Sequence, residues 1–288
     1  MFLIAGGERV LLVMEIKGEK IMINILMCGN NFVFKGWVIT SLSLVKYTKD
    51  PITLTFFTMD LTNLNRKYTP VSKEQADYIE KILKSANPES KVVLLDLTKE
   101  FNKQLINSVN INSGFTPFAM LRLLADEVEM PDKFVYLDTD TIVNQDISIL
   151  YNFNIDGYEL GVVKDAYRIN PHYFNSGVML VNQKLCKTTG IYQKARDIVT
   201  YKHLIYTDQT ALNKACTKRL MLPLIFNAKD KYYKSIVVHH FCNVRKKGNW
   251  FHRVKPWETD LVKQRTHAYD DILDDYEKRM LQSDWPKK

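Results

Sequence analysis

A chain of 288 residues, 46% of them hydrophobic, has the material for one large or two small packed domains, which argues against a disordered segment. Forty lysines and arginines against 32 acids give a formal charge of +8, which suits an acidic partner such as a nucleotide, an anionic lipid surface or nucleic acid. No basic run interleaved with aromatics and no helix-turn-helix or RNA-binding signature occurs, so the reading is no nucleic acid.

The opening segment, MFLIAGGERVLLVMEIKGEK, sets Glu8 and Arg9 between two short apolar runs and so spoils the unbroken apolar stretch of a signal peptide. Residues 1–20 are expected to be an extension or an extra hairpin ahead of a natural start at Met22. Ile21 to Cys28 predicts a buried strand that ends where Gly29, Asn30 and Asn31 make the chain turn. Trp37, Ile39, Leu42, Leu44 and Val45 then recur at helical spacing. Ile52 to Thr58 is a second strand, and Ser72-Lys73-Glu74-Gln75 is a capping box opening a helix to about Ser85. Lys91 to Leu95 is a third strand, ending in Asp96. Thr116-Pro117 supplies an N-cap and an N1 proline for a helix carrying Leu121, Arg122, Leu123 and Leu124. The strand Phe134 to Leu137 runs directly into Asp138. Strands alternating with helices imply a largely parallel sheet with helices on both faces, whose ligands sit beyond the carboxyl ends of the strands.

The second half predicts strands at Leu160 to Val163, Gly177 to Val181 and Ile236 to His240. It also predicts helices from about Lys187 and from Thr207-Asp208, and a charged helical tail from about Asp260 to Leu281. Cys28, Cys186, Cys216 and Cys242 form no CxxC pair, which argues for a reducing, cytoplasmic compartment and against a disulfide framework. The longest apolar runs, such as Ile21 to Met27 and Leu220 to Phe226, fall far short of the roughly 20 residues that span a bilayer.

Chemistry is expected first at Asp138-Thr139-Asp140. Two carboxylates one residue apart at a strand end can approach one hard cation and leave positions for phosphate oxygens. The same DTDT also fits haloacid-dehalogenase-like phosphatases, in which the first Asp is a nucleophile and the second a general acid. That reading needs an acidic pair closing a later strand, and the pairs available, Asp270-Asp271 and Asp274-Asp275, lie in the polar tail.

FVYLDTDTIVNQDISILY is followed in order by HYFNSGVMLVN (His172 to Asn182), TDQTALN (Thr207 to Asn213), HHFC (His239 to Cys242) and VKPW (Val254 to Trp257). This succession resembles the family 8 glycosyltransferases, the retaining glycogenin-like and bacterial lipooligosaccharide galactosyltransferase-like enzymes, over roughly residues 21 to 260. The resemblance implies a GT-A type nucleotide-sugar-binding fold, α/β with a mostly parallel central sheet flanked by helices, over 21–258, and a helical C-terminal extension over 259–288. It implies metal-dependent transfer of glucose or galactose from a UDP-sugar to a glycan, glycolipid or glycoprotein acceptor, with retention of anomeric configuration. A non-catalytic nucleotide-sugar-binding protein is the other alternative to the phosphatase.

Carried onto this chain, the resemblance makes Asp138, Asp140 and His240 the ligands of Mn²⁺, with Mg²⁺ as the alternative. His239 is the confounder, since adjacent strand residues face opposite ways. Asn31, Arg122, Thr139 and Ser176 would bind the donor. Asp165, Asn175, Asp208 and Gln209 would hold its sugar, with Gln209, Asp165 and Asp208 nearest the reaction, and Lys255 would meet the diphosphate. Gly29 and Asn30 stand where many relatives carry an acid, and Asn243 replaces a glycine at the head of the insertion VRKKGNWFHR. Arg245 to Arg253 and the tail cations Lys263, Arg265, Lys278 and Arg279 offer a peripheral contact with the inner face of a membrane, against a plain solvated face as the alternative. The sequence sets no oligomeric state.

Overall fold

The computed structural model describes residues 21–113, 115–165, 169–229, 232–242 and 254–282 in full, and the backbone of residues 2–5, 8–11, 245–247 and 250–252. Strands β1 (Phe2–Ala5) and β2 (Glu8–Leu11) form an antiparallel hairpin. The main sheet begins with β3 (Ile23–Cys28), followed by helix α1 (Phe34–Tyr47), β4 (Ile52–Thr58), α2 (Lys73–Lys84), β5 (Lys91–Asp96), α3 (Thr98–Gln104) and β6 (Lys133–Leu137). After β6 come β7 (Thr141–Val143), α4 (Ser148–Tyr151), β8 (Leu160–Lys164), β9 (Phe174–Asn182), α5 (Gln183–Thr189), α6 (Ile191–Tyr201), α7 (Thr207–Ala215) and β10 (Arg219–Leu222). The chain closes with β11 (Val238–His240), β12 (Arg245–Lys247), β13 (Trp250–His252), α8 (Thr259–Lys263) and α9 (Asp270–Gln282).

Seven strands form one sheet in the order β10-β8-β9-β6-β3-β4-β5. Every pairing is parallel except the two made by β9, which runs antiparallel between β6 and β8. The expected mostly parallel sheet is therefore present, with one reversed strand in its middle. That reversal brings the start of β9 to the rim where β6 and β3 end. All seven residues of β4 are buried, as a central strand covered on both faces requires. Neighbouring residues go to opposite cores: Ile25, Phe56 and Val135 pack with Trp37 and Leu42 of α1, whereas Leu26, Phe57 and Tyr136 pack with Leu121 and Leu212. Trp37 stacks on Phe56 with ring centroids 3.8 Å apart.

The Ser72 capping box forms as the spacing predicts, Ser72 Oγ accepting from Gln75 N and Gln75 Oε1 accepting from Ser72 N. Several expectations need correction. Pro117–Leu124 is a 3-10 helix rather than an α-helix, and the Thr116 side chain makes no capping bond. Arg122 Nε instead bonds the carbonyl of Ala119, three residues back, at 3.0 Å. The helix expected from about Lys187 is two helices, parted by Gly190 at φ 68°, a left-handed C-cap that glycine adopts without steric cost. The tail is likewise two helices. In α9, Ile272, Leu273 and Tyr276 are buried in the core that includes α1. Lys263 pairs with Asp274 at 2.6 Å and Glu277 at 2.9 Å, and Arg279 with Asp275 at 2.9 Å, so these two cations serve the tail itself. Side chains of the insertion from Asn243 to Arg253 lie outside the described residues; its strands β12 and β13 pair antiparallel. Among the described residues no helix is long and apolar enough to cross a membrane.

Candidate active site

The β6 strand delivers Asp138 to the carboxyl rim of the sheet, and Asp138 N continues its ladder by bonding Gly177 O of β9 at 2.8 Å. After the turn, β7 pairs antiparallel with β11, setting Thr141 opposite His240. Phe241 N bonds Asp140 O at 2.9 Å, which fixes the approach of the two chains. Asp138, Asp140 and His240 thus converge, with one ligand atom from each all within 4.8 Å of one another. His240 Nε2 lies 3.2 Å from Asp140 Oδ1 and 3.5 Å from Asp138 Oδ2. His239 faces the other way, its Nδ1 2.7 Å from the Tyr269 hydroxyl. The alternation of a strand separates the two histidines as expected.

Gly177 explains how the cluster closes so tightly. A Cβ there would stand 2.0 Å from His240 Cε1 and 2.7 Å from Asp138 Oδ2. Two carboxylates and an imidazole around such a cradle form an oxygen-and-nitrogen donor set that fits a divalent cation.

Arg122 is buried, with 6% of its surface exposed. Its Nη2 donates to Asp138 Oδ1 at 2.8 Å, its Nε lies 3.2 Å from Asp208 Oδ2, and its Nη1 donates to Ser176 O at 2.7 Å. The guanidinium lies over the Tyr136 ring, 4.2 Å from its centroid, while the Tyr136 hydroxyl donates to Asp138 Oδ1 at 2.8 Å. Only a planar fork of five donors can satisfy so many acceptors at once.

On the sugar-facing side proposed from sequence, the FNSG segment opens β9. Asn175 Nδ2 donates to Gln209 Oε1 at 2.8 Å, and Gln209 Nε2 reaches Asp165 Oδ2 at 3.5 Å and the Tyr173 hydroxyl at 3.3 Å. Lys229 Nζ pairs with Asp165 Oδ1 at 3.0 Å. Ser176 Oγ donates to Asp208 Oδ2 at 3.4 Å. Thr139 is nearly buried, and its carbonyl faces Gly36 of α1 so closely that a Cβ on Gly36 would be 2.1 Å away. Asn31 follows the carboxyl end of β3 and accepts from Gln75 Nε2 at 2.7 Å. Lys255 Nζ forms an ion pair with Asp140 Oδ2 and reaches the Phe241 carbonyl at 3.5 Å.

Each of these carboxylates faces a cation, and the titration properties follow. Burial works against ionising Asp140, but the charges of Lys255 and His240 outweigh it and hold its carboxyl well below the usual range. Burial also opposes the imidazolium of His240, yet Cys242 and Asp140 carry its pKa up to about 10. Burial raises the Asp208 carboxyl, with the Arg122 charge opposing.

The structure adds Tyr136, Tyr173, Gly177, Asn227 and Lys229 to the residues found by sequence. Tyr136, Tyr173 and Gly177 lie inside the quoted motif blocks. Asn227 closes the apolar run Leu222 to Phe226, and a buried amide after such a run is the signal that could have marked it.

A model of the family described as "Glycosyl transferase family 8" matches residues 24–260. Glycosyltransferase GlyF of Streptococcus pneumoniae serotype 4 (strain TIGR4) is 28% identical over 116 residues, 39% of this chain and 29% of that protein. A lipopolysaccharide 1,2-glucosyltransferase of Escherichia coli K12 is 28% identical over 155 residues, 44% of each chain. These matches span less than half the length of either relative. The solved galactosyltransferase LgtC, in complex with donor and acceptor sugar analogues, superposes with a TM-score of 0.62 at 16% identity, covering 88% of this chain and 96% of that one. At such identity the superposition establishes the GT-A fold.

Proposed function

The chain belongs to glycosyl transferase family 8, and from that premise we propose that it moves glucose or galactose from a UDP-sugar to a carbohydrate-containing acceptor, with retention and with the help of a divalent cation. One observation carries this reading: the Asp138, Asp140 and His240 cluster borders, through Arg122, Ser176 and Asn175, the polar set Asp165, Asp208 and Gln209. Domain limits of 21–258 for the transferase unit, with the tail following, belong to the same reading.

When bound, the cation, Mn²⁺ or Mg²⁺, supplies a Lewis acid that offsets the charge developing on the departing diphosphate. Lys255 leaves Asp140 to meet that diphosphate, so its charge stays inside the site throughout. Asp165, Asn175 and Asp208 hold the hexose hydroxyls, and Arg122 keeps Asp138 and Asp208 at a fixed spacing. Gln209 Oε1 already accepts from Asn175 Nδ2 at 2.8 Å and from Ser176 N at 3.3 Å. Its two lone pairs are engaged, and an amide is a weak nucleophile. This favours a front-face reaction in which the leaving phosphate takes the acceptor's proton over a glycosyl-enzyme intermediate.

The phosphatase alternative loses its remaining residues. Asp270, Asp271, Asp274 and Asp275 lie on α9, where Asp271 pairs with Lys46, Asp274 with Lys263 and Asp275 with Arg279.

Release of UDP from a panel of UDP-sugars, with and without chelator, tests the proposal. Turnover of UDP-glucose or UDP-galactose that stops on chelation and resumes with Mn²⁺ is expected; UDP binding with no turnover of any donor and acceptor pair would leave the non-catalytic reading standing. Cation uptake should also release protons. With the His240 pKa at about 10 in the metal-free site, its Nε2 proton is present at pH 7 and must leave, so about one proton per Mn²⁺ is expected and affinity should rise with pH up to about 10. Calorimetry in buffers of different ionisation enthalpy reads this directly, and zero release would contradict it.

A further inference from the structure

Asn227, 2% exposed, touches neither of the two metal-cluster carboxylates, yet it joins the two halves of the site. Its Oδ1 is 3.0 Å from His240 Nδ1, and its Nδ2 donates to Asn175 Oδ1 at 2.9 Å. From Asn175 the chain of bonds continues through Nδ2 to Gln209 Oε1, and from Gln209 Nε2 to Asp165. Amide groups can in principle be turned over, reversing every donor and acceptor. Here three fixed groups forbid it. The Asp165 carboxylate only accepts, so the nitrogen of Gln209 must face it. The backbone N–H groups of Ser176 and Gly177 only donate, at 3.3 Å to Gln209 Oε1 and at 3.1 Å to Asn175 Oδ1, so both of those atoms must be oxygens. Asn175 therefore offers its oxygen to Asn227, Asn227 answers with its nitrogen, and its own oxygen is left facing His240. That oxygen can only accept, so Nδ1 keeps its hydrogen, and the proton that a cation displaces is the one on Nε2, the nitrogen facing Asp138 and Asp140.

We propose that Asn227 is a positioning residue that sets the tautomer and ring orientation of His240 for cation binding and ties that orientation to the sugar-facing amides Asn175 and Gln209. This rests on the reading of the site given above. A histidine ligand whose second nitrogen is held in this way is oriented and made more basic, and loss of such a partner typically weakens metal affinity by about ten- to a hundredfold. Because both arms of one amide are used, the cation site and the sugar pocket share a rigid connection about one side chain long.

The two arms separate in mutants. Asn227→Ala removes both, whereas Asn227→Asp keeps an oxygen for His240 Nδ1–H and removes the donor to Asn175. Mn²⁺ affinity, measured by electron paramagnetic resonance of the free ion, is expected to fall about ten- to a hundredfold in Asn227→Ala and to stay within about threefold of wild type in Asn227→Asp. Sugar transfer at saturating Mn²⁺ is expected to fall in both. Thermal melting without metal reports any general loss of fold. Wild-type Mn²⁺ affinity in a folded Asn227→Ala, or equal losses of affinity in the two variants, would overturn the assignment. Failure of the wild-type protein to bind Mn²⁺ at all would overturn the reading of the site and this inference with it. Wild type binding normally with an unaffected Asn227→Ala would remove this inference alone.

Discussion

Asp140→Asn should lower sugar transfer by about a thousandfold, equivalent to about 4 kcal/mol of barrier, while the protein stays folded. The substitution keeps shape and removes charge. Asp140 is a proposed cation ligand, the ion-pair partner of Lys255 and one of the groups that carry the His240 pKa up to about 10. An amide in its place leaves Lys255 without its anion and the cation with one charge fewer around it. More Mn²⁺ should recover part of the loss in KM and little of the loss in kcat, because the deficit lies in charge at the leaving diphosphate. Full kcat at saturating Mn²⁺, with unchanged circular dichroism, would remove Asp140 from the metal set.

The second large effect concerns stability. Arg122→Met should cost about 3 kcal/mol and lower the Tm by several degrees, because it strands Asp138 and the buried Asp208 without their shared cation. Arg122→Lys should rescue little, since one ammonium cannot reach Asp138, Asp208, Ser176 and Ala119 together. The pH dependence gives a sharper signature. Burial raises the Asp208 pKa in the folded protein above its unfolded value, so the folded state holds the proton longer. The contribution of Asp208 to stability therefore falls as pH climbs from the ordinary carboxylate range to that raised value, and is level above it. Losing Arg122 removes the opposing charge, raises Asp208 further and widens that window upward. Melting curves across pH for both proteins check this, and parallel profiles would contradict it.

What the sequence made legible is what local chemistry determines. Ser72 and Gln75 cap α2 through groups three residues apart, and β4 is buried throughout because ITLTFFT has no face to show to water. The DTDT pair was visible because a strand must end where its apolar run ends. What escaped depends on partners far away in the chain. Arg122 entered only through the resemblance, and its bonds to Asp138, Ser176 and Asp208, 16, 54 and 86 residues onward, have no trace in its own helix. The reversed direction of β9 left no trace in FNSGVMLVN, which is apolar enough for either direction in a covered sheet. Asn227 acquires its meaning only from His240 and Asn175, neither of which its neighbours in sequence foretell.

The missing side chain at Gly177 also bears on how β9 finds its place. A strand in the middle of a sheet, covered on both faces, gets little guidance from hydrophobicity about which residue should stand opposite which. A slip by one position would bring Ser176 or Val178 to the place of Gly177, and the Cβ of either would meet the imidazole of His240 and the carboxylate of Asp138. Only one alignment leaves room for both side chains. The space proposed for a cation would thus double as a gauge of correct assembly: a misregistered sheet would be recognisable by its inability to take up metal, even where its strands still paired.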